Sequence, residues 1–422
     1  MRVSGPETVR VAESILGKCP EPKLATLAEF RAGDGTVLDQ GIALFFNAPF
    51  SFTGEDVLEL QGHGGPLVLD MILRCCLELG VRPAEPGEFT KRAFLNDKLD
   101  LAQAEAIADL ISSKTEHAAL NAMRSLQGRF SDILGDLVDD VIKFRASLEA
   151  AINFPEEDID FRDDENINSD LRDIQSKLQN ILYEAKTGVL LAEGATVVLL
   201  GKPNSGKSSL MNQFTGRETS IVTDLPGTTR DVVEEQLHLD GIPLRFIDTA
   251  GIRESVDAIE EEGIRRAIMA SSLADLAIII IDASLEYPED DLRELSAITD
   301  IETVTVYNKM DLVSGNHLPD GVTPVSAKTS FGIEKLKDEI KRKLGYEEGF
   351  ESSFTARTRH ISSIKQGLSA VERGIFELEY NGAGELLAEE LKQCQACLNE
   401  ITGEFSADDL LGEIFGSFCI GK

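Results

Sequence analysis

The sequence predicts a multidomain α and α/β protein: a small α/β N-terminal domain, then a helical domain split by an inserted α/β domain with a phosphate-binding loop. Three observations predict it. Short apolar runs broken by Gly and Pro fill the first part of the chain, and apolar residues recur at three- and four-residue steps from Asp97 onward. Between Ala195 and Leu344 strand-like runs alternate with helical patterns before the helical texture returns. The 422 residues are ample for this plan, since domains take roughly 100–200 residues each.

The first domain, 1–96, contains strand candidates Gly41–Phe46 and Val57–Leu60, and Gly62-His63-Gly64-Gly65-Pro66 opens a helical stretch over Leu67–Leu79. A first helical half, 97–190, follows from the spacing of Leu99, Ala102, Ala106, Ile107, Leu110 and Ile111. Between Pro155 and Asp173, nine acids against two arginines read as a solvated loop or a helix start. The inserted domain, 191–345, carries strand candidates Val197–Leu200, Leu244–Ile247, Ala277–Ile281 and Thr303–Tyr307, an order that argues a parallel βαβ sheet. A second helical half, 346–422, is read from Leu378, Leu386, Leu387 and Leu391. The two helical arms can pack together if the ends of the insert lie close.

Composition limits the function. Hydrophobic residues at 42% and charged residues at 27% exclude wholesale disorder and a fibrous fold. No apolar run approaches the ~18 residues of a membrane-spanning helix, so no membrane partner is expected. Forty-one basic against seventy-four acidic residues give a net charge of −33. Bulk electrostatics therefore oppose RNA binding, and any RNA contact is expected to be local or shared with a partner. Met1–Arg10 has neither a secretion signal's apolar core nor an organelle presequence's Arg and Ser, so a cytoplasmic location is expected. Cys19, Cys75, Cys76, Cys394, Cys397 and Cys419 form neither paired metal-ligand clusters nor a disulfide-dense pattern, so reduced thiols are expected. The single Cys394-x-x-Cys397 reads as helix packing, and His63 as a turn histidine.

Gly201-Lys202-Pro203-Asn204-Ser205-Gly206-Lys207-Ser208 matches G-x-x-x-x-G-K-S directly after a strand and before the helical run Ser209–Phe214. Glycines let backbone N–H groups form an anion cradle, Lys207 reaches the outer phosphates, and Ser208 supplies a hydroxyl to Mg²⁺. Asp248-Thr249-Ala250-Gly251 ends a second strand, where the acid can hold Mg²⁺ through water and Gly251 can sense the γ-phosphate. Asn308-Lys309-Met310-Asp311 ends another. Asp311 can accept two N–H bonds from guanine but would repel adenine's acceptor edge, and Ser326-Ala327-Lys328 offers N–H groups to the guanine oxygen. Three such motifs in order specify GTP, with Asn204, Ser205, Gly206, Ser209, Thr223, Thr228 and Thr229 completing the candidate pocket.

This segment resembles a Ras-like GTPase. Thr229, in Thr223 to Asp231, matches the switch threonine that ligates Mg²⁺, but Ile252 stands where Ras has its water-orienting glutamine. From spacing alone Asn204 reads equally as a turn-former or, with loop carbonyls of Thr223 and Leu225 and with Thr228, as part of a K⁺ cage replacing an arginine finger.

Gly54 to Gly65, Pro86-Gly87-Glu88-Phe89-Thr90 through Lys98 to Ala106, and the terminal Phe418-Cys419-Ile420-Gly421-Lys422 resemble the MnmE (TrmE) family of tRNA modification GTPases over essentially the whole chain. The resemblance implies an N-terminal domain that binds 5-formyl- or methylene-tetrahydrofolate through Arg2, Glu59, Lys98 and Lys422. It also implies a homodimer, K⁺-stimulated hydrolysis, and a flavoprotein partner, MnmG, with which the chain adds an aminomethyl or carboxymethylaminomethyl group to carbon 5 of the wobble uridine of certain tRNAs. Glu260 matches the family's catalytic glutamate, although on residue type alone it, Glu261 and Glu262 read as solvent-facing helix charges. Cys419 matches a cysteine required for modification; composition alone leaves it equally an inert small hydrophobe. The family usually carries a further Gly- and Pro-rich strand segment ahead of the Arg2 motif. Two other classes compete: a non-catalytic GTPase switch of the ribosome-assembly type, and a folate-dependent one-carbon transferase regulated by GTP.

Overall fold

A computed structural model describes residues 1–113, 115–153, 165–215, 234–239, 242–248, 274–285, 288–297, 299–313, 318–346, 352–403 and 414. In chain order these form β1 (Arg2–Ser4), α1 (Thr8–Leu16), β2 (Thr26–Arg31), β3 (Val37–Phe46), β4 (Val57–Gln61), α2 (Pro66–Glu78) and α3 (Glu88–Leu95). The helices α4 (Leu101–Ser112), α5 (Glu116–Leu126), α6 (Arg129–Asn153) and α7 (Glu165–Glu193) follow. Then come β5 (Ala195–Leu200), α8 (Lys207–Thr215), β6 (Glu234–Leu239), β7 (Ile242–Asp248), β8 (Leu276–Asp282), α9 (Pro288–Ser296), β9 (Thr303–Asn308), β10 (Val322–Pro324) and α10 (Ile333–Lys343). Two helices, α11 (Thr358–Asn381) and α12 (Gly384–Thr402), complete the order. The chain divides into two compact units, residues 1–108, 125–174 and 366–422 in one, and 109–124 and 175–365 in the other.

In the first unit an antiparallel sheet of order β1-β4-β3-β2 packs one face on α1 and α2. Its strands alternate because side chains point to opposite faces: Phe30, Ala43, Leu58 and Leu60 turn inward onto Val11 and Ile15 of α1 and Ile72 and Cys76 of α2. Glu88 opens α3 and is almost enclosed by Arg82 and Arg92 (2.6 Å each). These contacts, Arg82's first, pull its pKa from 4.5 to about 2. Glu88 therefore adds stability that is complete above pH about 4.5 and is lost as pH falls toward 2. In acid the difference in urea midpoint between wild type and Glu88→Gln should narrow steadily; a difference constant from pH 7 to 3 would contradict this account.

The helical part of this unit is carried by α6 and α12. Buried Leu134, Leu137, Val141, Phe144 and Leu148 recur at alternate three- and four-residue steps, the spacing that keeps one helix face apolar. Against α6 lies α12, which buries Leu387, Leu391, Cys394 and Leu398, and Arg145 donates to Gln395 Oε1 at 2.6 Å. Residues from before and after the inserted segment thus share one packed surface. Cys394 and Cys397 are buried helix residues, as the sequence suggests, and burial pushes the Cys394 thiol up to about 12.

In the second unit the described strands form a six-stranded sheet of order β10-β9-β8-β5-β7-β6, parallel except for the β6–β7 pair. Helices cover both faces, so the central strands are apolar throughout rather than alternating. Val197, Leu199, Ile278 and Ile280 pack toward Leu210, Phe214, Leu336 and Ile340, while Val198, Leu200, Ala277, Ile279 and Ile281 pack with Leu295 and Tyr307. The four strand candidates of the sequence are all present, each lengthened by one to three residues. The edge strand β6 was not anticipated: Glu-Glu-Gln-Leu-His-Leu carries little apolar signal, and pairing with β7 supplies what its composition lacks. Beside α7, Ser353 donates from its backbone N–H and hydroxyl to Glu184 Oε1 at 2.7 and 2.6 Å. The chain entering the sheet and the chain leaving it are therefore tied together, as an inserted domain requires.

Candidate nucleotide-binding site

The loop 201–206 joins β5 to the N-terminus of α8, where first-turn N–H groups and the helix dipole favour an anion. Backbone shape requires its glycines. Gly206 has φ +101°, and a Cβ on it would collide with Asn308 Nδ2; a Cβ on Gly201 would lie 2.6 Å from Ser205 Oγ and 2.7 Å from the Ile280 carbonyl. Asn204 adopts φ +66°, a left-handed turn conformation that asparagine tolerates. Lys207 is 7% exposed, and its ammonium donates to the carbonyls of Gly201 at 2.5 Å and Lys202 at 3.0 Å. The lysine is thus folded over the loop, and Ser208 and Ser209 continue in the first turn of α8. The buried hydroxyl of Ser205 has no hydrogen-bond partner among the described residues. An anion cradle with a lysine ready to reach phosphate oxygens fits a nucleoside triphosphate, and Ser208 at the helix start fits its Mg²⁺.

The base end is assembled from two strand termini. Asn308, 2% exposed, donates to the Ser205 carbonyl at 2.9 Å and accepts from the Ala327 N–H at 3.0 Å, so one amide locks the phosphate loop to the 326–328 loop. Asp311 accepts from the Ser326 hydroxyl at 2.6 Å. That bond, first among the causes, holds the Asp311 carboxyl below its ordinary value and keeps it an acceptor. Lys309 takes φ +64° and pairs with Asp282 at 2.5 Å. Burial pushes the Asp282 carboxyl up, but the bonds from Lys309 and Ser284 outweigh it and leave it below its ordinary value. Lys328 lies in the same loop, and the backbone of Asp248 ends β7 in register with Leu199 of β5, beside the phosphate loop.

In the first unit the structure brings Arg2 and Glu59 together, paired at 2.7 Å across β1 and β4, with the Arg2 guanidinium over the rings of Phe52 and Phe89. Lys98 donates to the Pro49 carbonyl at 3.1 Å and packs beside the Gly54 turn. Sequence reading missed Phe52 and Phe89, and also Asp282, because the partners are far apart in the chain; only the position of Asp282 at a strand end hinted at a role. His63 sits in the turn after β4, and its ring pairs with Asp39 at 2.7 Å. Thr223, Leu225, Thr228, Thr229, Thr249, Ala250, Gly251, Glu260, Cys419 and Lys422 lie outside the described residues. Among the described residues no cluster of three His, Cys, Asp or Glu side chains could hold a metal, and no helix is long and apolar enough to cross a membrane.

The sheet order, the glycine cradle and the Asp311–Ser326 bond beside it define a P-loop GTPase of Ras-like topology set into a helical chain. Family models described as "MnmE helical domain" and "GTP-binding protein TrmE N-terminus" match residues 101–419 and 1–98. The chain belongs to the MnmE (TrmE) family of tRNA modification GTPases. It is 51% identical over 428 residues to the tRNA modification GTPase MnmE of Hydrogenovibrio crunogenus, covering 100% of this chain and 95% of that protein. To that of Pasteurella multocida it is 51% identical over 434 residues, covering 100% and 96%. A solved G domain of the T. maritima FeoB iron transporter shares 28% identity over 35% of this chain and 98% of its own, but its TM-score of 0.28 bears no weight.

Proposed function

We propose that the protein hydrolyses GTP to drive modification of tRNA. The observation that carries this is the closed set of contacts at 201–208, 308–311 and 326–328, in a chain about half identical along its whole length to tRNA modification GTPases. The domains run 1–96, 97–190, 191–345 and 346–422, the second and fourth being halves of one helical domain. Asn204, with Thr223, Leu225 and Thr228, would hold K⁺, which would supply the positive charge an arginine finger otherwise brings. Ser208 and Thr229 would hold Mg²⁺, which would neutralise charge on the phosphates, and Glu260 would orient the attacking water through a second water.

The modification is addition of an aminomethyl or carboxymethylaminomethyl group at carbon 5 of the wobble uridine, in the cytoplasm, by a homodimer acting with the flavoprotein MnmG. Cys419 takes part in that chemistry. Folate lies at Arg2, Glu59, Lys98 and Lys422; the Arg2–Glu59 pair between aromatic rings supports this, since it offers a carboxylate to a pterin edge and a cation to a glutamate tail. With a net charge of −33 on this chain, MnmG contributes most of the affinity for tRNA.

Complementing a strain that lacks the gene with wild type or Cys419→Ser tests the whole reading through its wobble-uridine content; full modification by the serine variant would count against it. Hydrolysis measured in K⁺ and then in Na⁺ tests the cage. A strong slowing in Na⁺ is expected, and equal rates would remove Asn204 from that role.

A further inference from the structure

We propose that Lys202, held by Asp291 and Glu294 of α9, is a positioning residue that keeps the phosphate loop in its binding shape and so slows release of guanine nucleotide. The inference rests on reading 201–208 as a GTP-binding loop and goes beyond it, because Lys202 occupies one of the variable positions of the motif. Its ammonium lies 2.9 Å from Asp291 Oδ1 and 2.7 Å from Glu294 Oε2. Asp291 and Glu294 stand three residues apart on α9 and so share one helix face. The two carboxylates raise the pKa of Lys202, Glu294 first, so it stays charged.

What makes this pairing more than a surface ion pair is the other end of the residue. The Lys202 carbonyl accepts from the Lys207 ammonium at 3.0 Å and from the Ser205 N–H at 3.2 Å. The side chain therefore anchors to α9 the same residue whose carbonyl seats the phosphate-binding lysine and closes the turn. The segment from β8 to α9 also supplies Asp282 to Lys309 of the base loop. Asp282, Asp291 and Glu294 thus grip by carboxylates both loops of the proposed nucleotide site, the phosphate loop and the base loop. Charge is well placed for this: Glu289, Asp290 and Asp291 fill the first turn of α9, where the helix dipole favours acids, and Lys202 supplies a counter-charge.

The test is the release rate of N-methylanthraniloyl-GDP, chased with excess GDP and Mg²⁺, from the full-length protein. Lys202→Met, which keeps the stem and removes the charge, should release about threefold to tenfold faster, the scale of a partly exposed three-charge network. Lys202→Arg should restore the wild-type rate, since a guanidinium can reach both carboxylates. Asp291→Asn with Glu294→Gln should match Lys202→Met without touching the loop, which covers the case in which the loop variant fails to fold. Release should also quicken with salt more steeply in wild type than in the double variant. Wild-type rates in both Lys202→Met and the carboxamide double variant would overturn the proposal, and so would equal salt dependence. Failure of wild type to bind the probe would instead defeat the reading of the loop itself.

Discussion

Replacing Lys207 by alanine should abolish saturable GTP binding at concentrations where wild type is filled, with a loss of about 10²–10³-fold in hydrolysis, the scale found when one preorganised donor to developing charge is removed. The reason lies in its surroundings. Lys207 is 7% exposed and bonded to two carbonyls of its own loop, so its ammonium is held within reach of the outer phosphates before they arrive. Alanine would leave the Gly201 and Lys202 carbonyls facing the phosphates with no intervening cation. Isothermal titration with GTP and Mg²⁺ reads the effect directly, and tight binding by the alanine variant would show that the cradle of N–H groups suffices alone. Circular dichroism of the same sample would confirm that the fold persists, since the core on either side of β5 does not use the lysine.

The second large effect falls on Asp311. Its carboxylate is kept ionised by the Ser326 hydroxyl and presents acceptors to the base, so Asp311→Asn should cost GTP about 1.5–3 kcal/mol by loss of a charge-assisted pair. The same change puts a donor where the carboxylate stood, which should raise tolerance for xanthine nucleotides, whose 2-oxo group accepts where guanine's amino group donates. Competition of GTP, XTP and ATP for one site measures it. An unchanged GTP:XTP ratio would remove Asp311 from the base contact. Asn308→Ala should differ in kind: by unlinking Ser205 from Ala327 it disturbs both ends of the site, so affinity for all three nucleotides should fall together.

Local pattern carried much of this. The phosphate loop between β5 and α8, the Asn308 to Asp311 turn after β9 and the apolar runs of the central strands were all legible, because each is a contiguous stretch whose residue types are dictated by turn shape, strand burial or phosphate geometry. Residue order also made the inserted architecture visible, since the texture changes at each end of the sheet. What the one-dimensional pattern could not supply were the pairings over long separations: Asn308 with Ser205, Lys309 with Asp282, Lys202 with Asp291 and Glu294, Arg2 with Glu59. Nothing near Lys202 in the chain announces a partner some ninety residues away. Its carboxylates become neighbours because parallel strands deliver their following loops to one edge of the sheet, and the folded backbone alone brings those loops together.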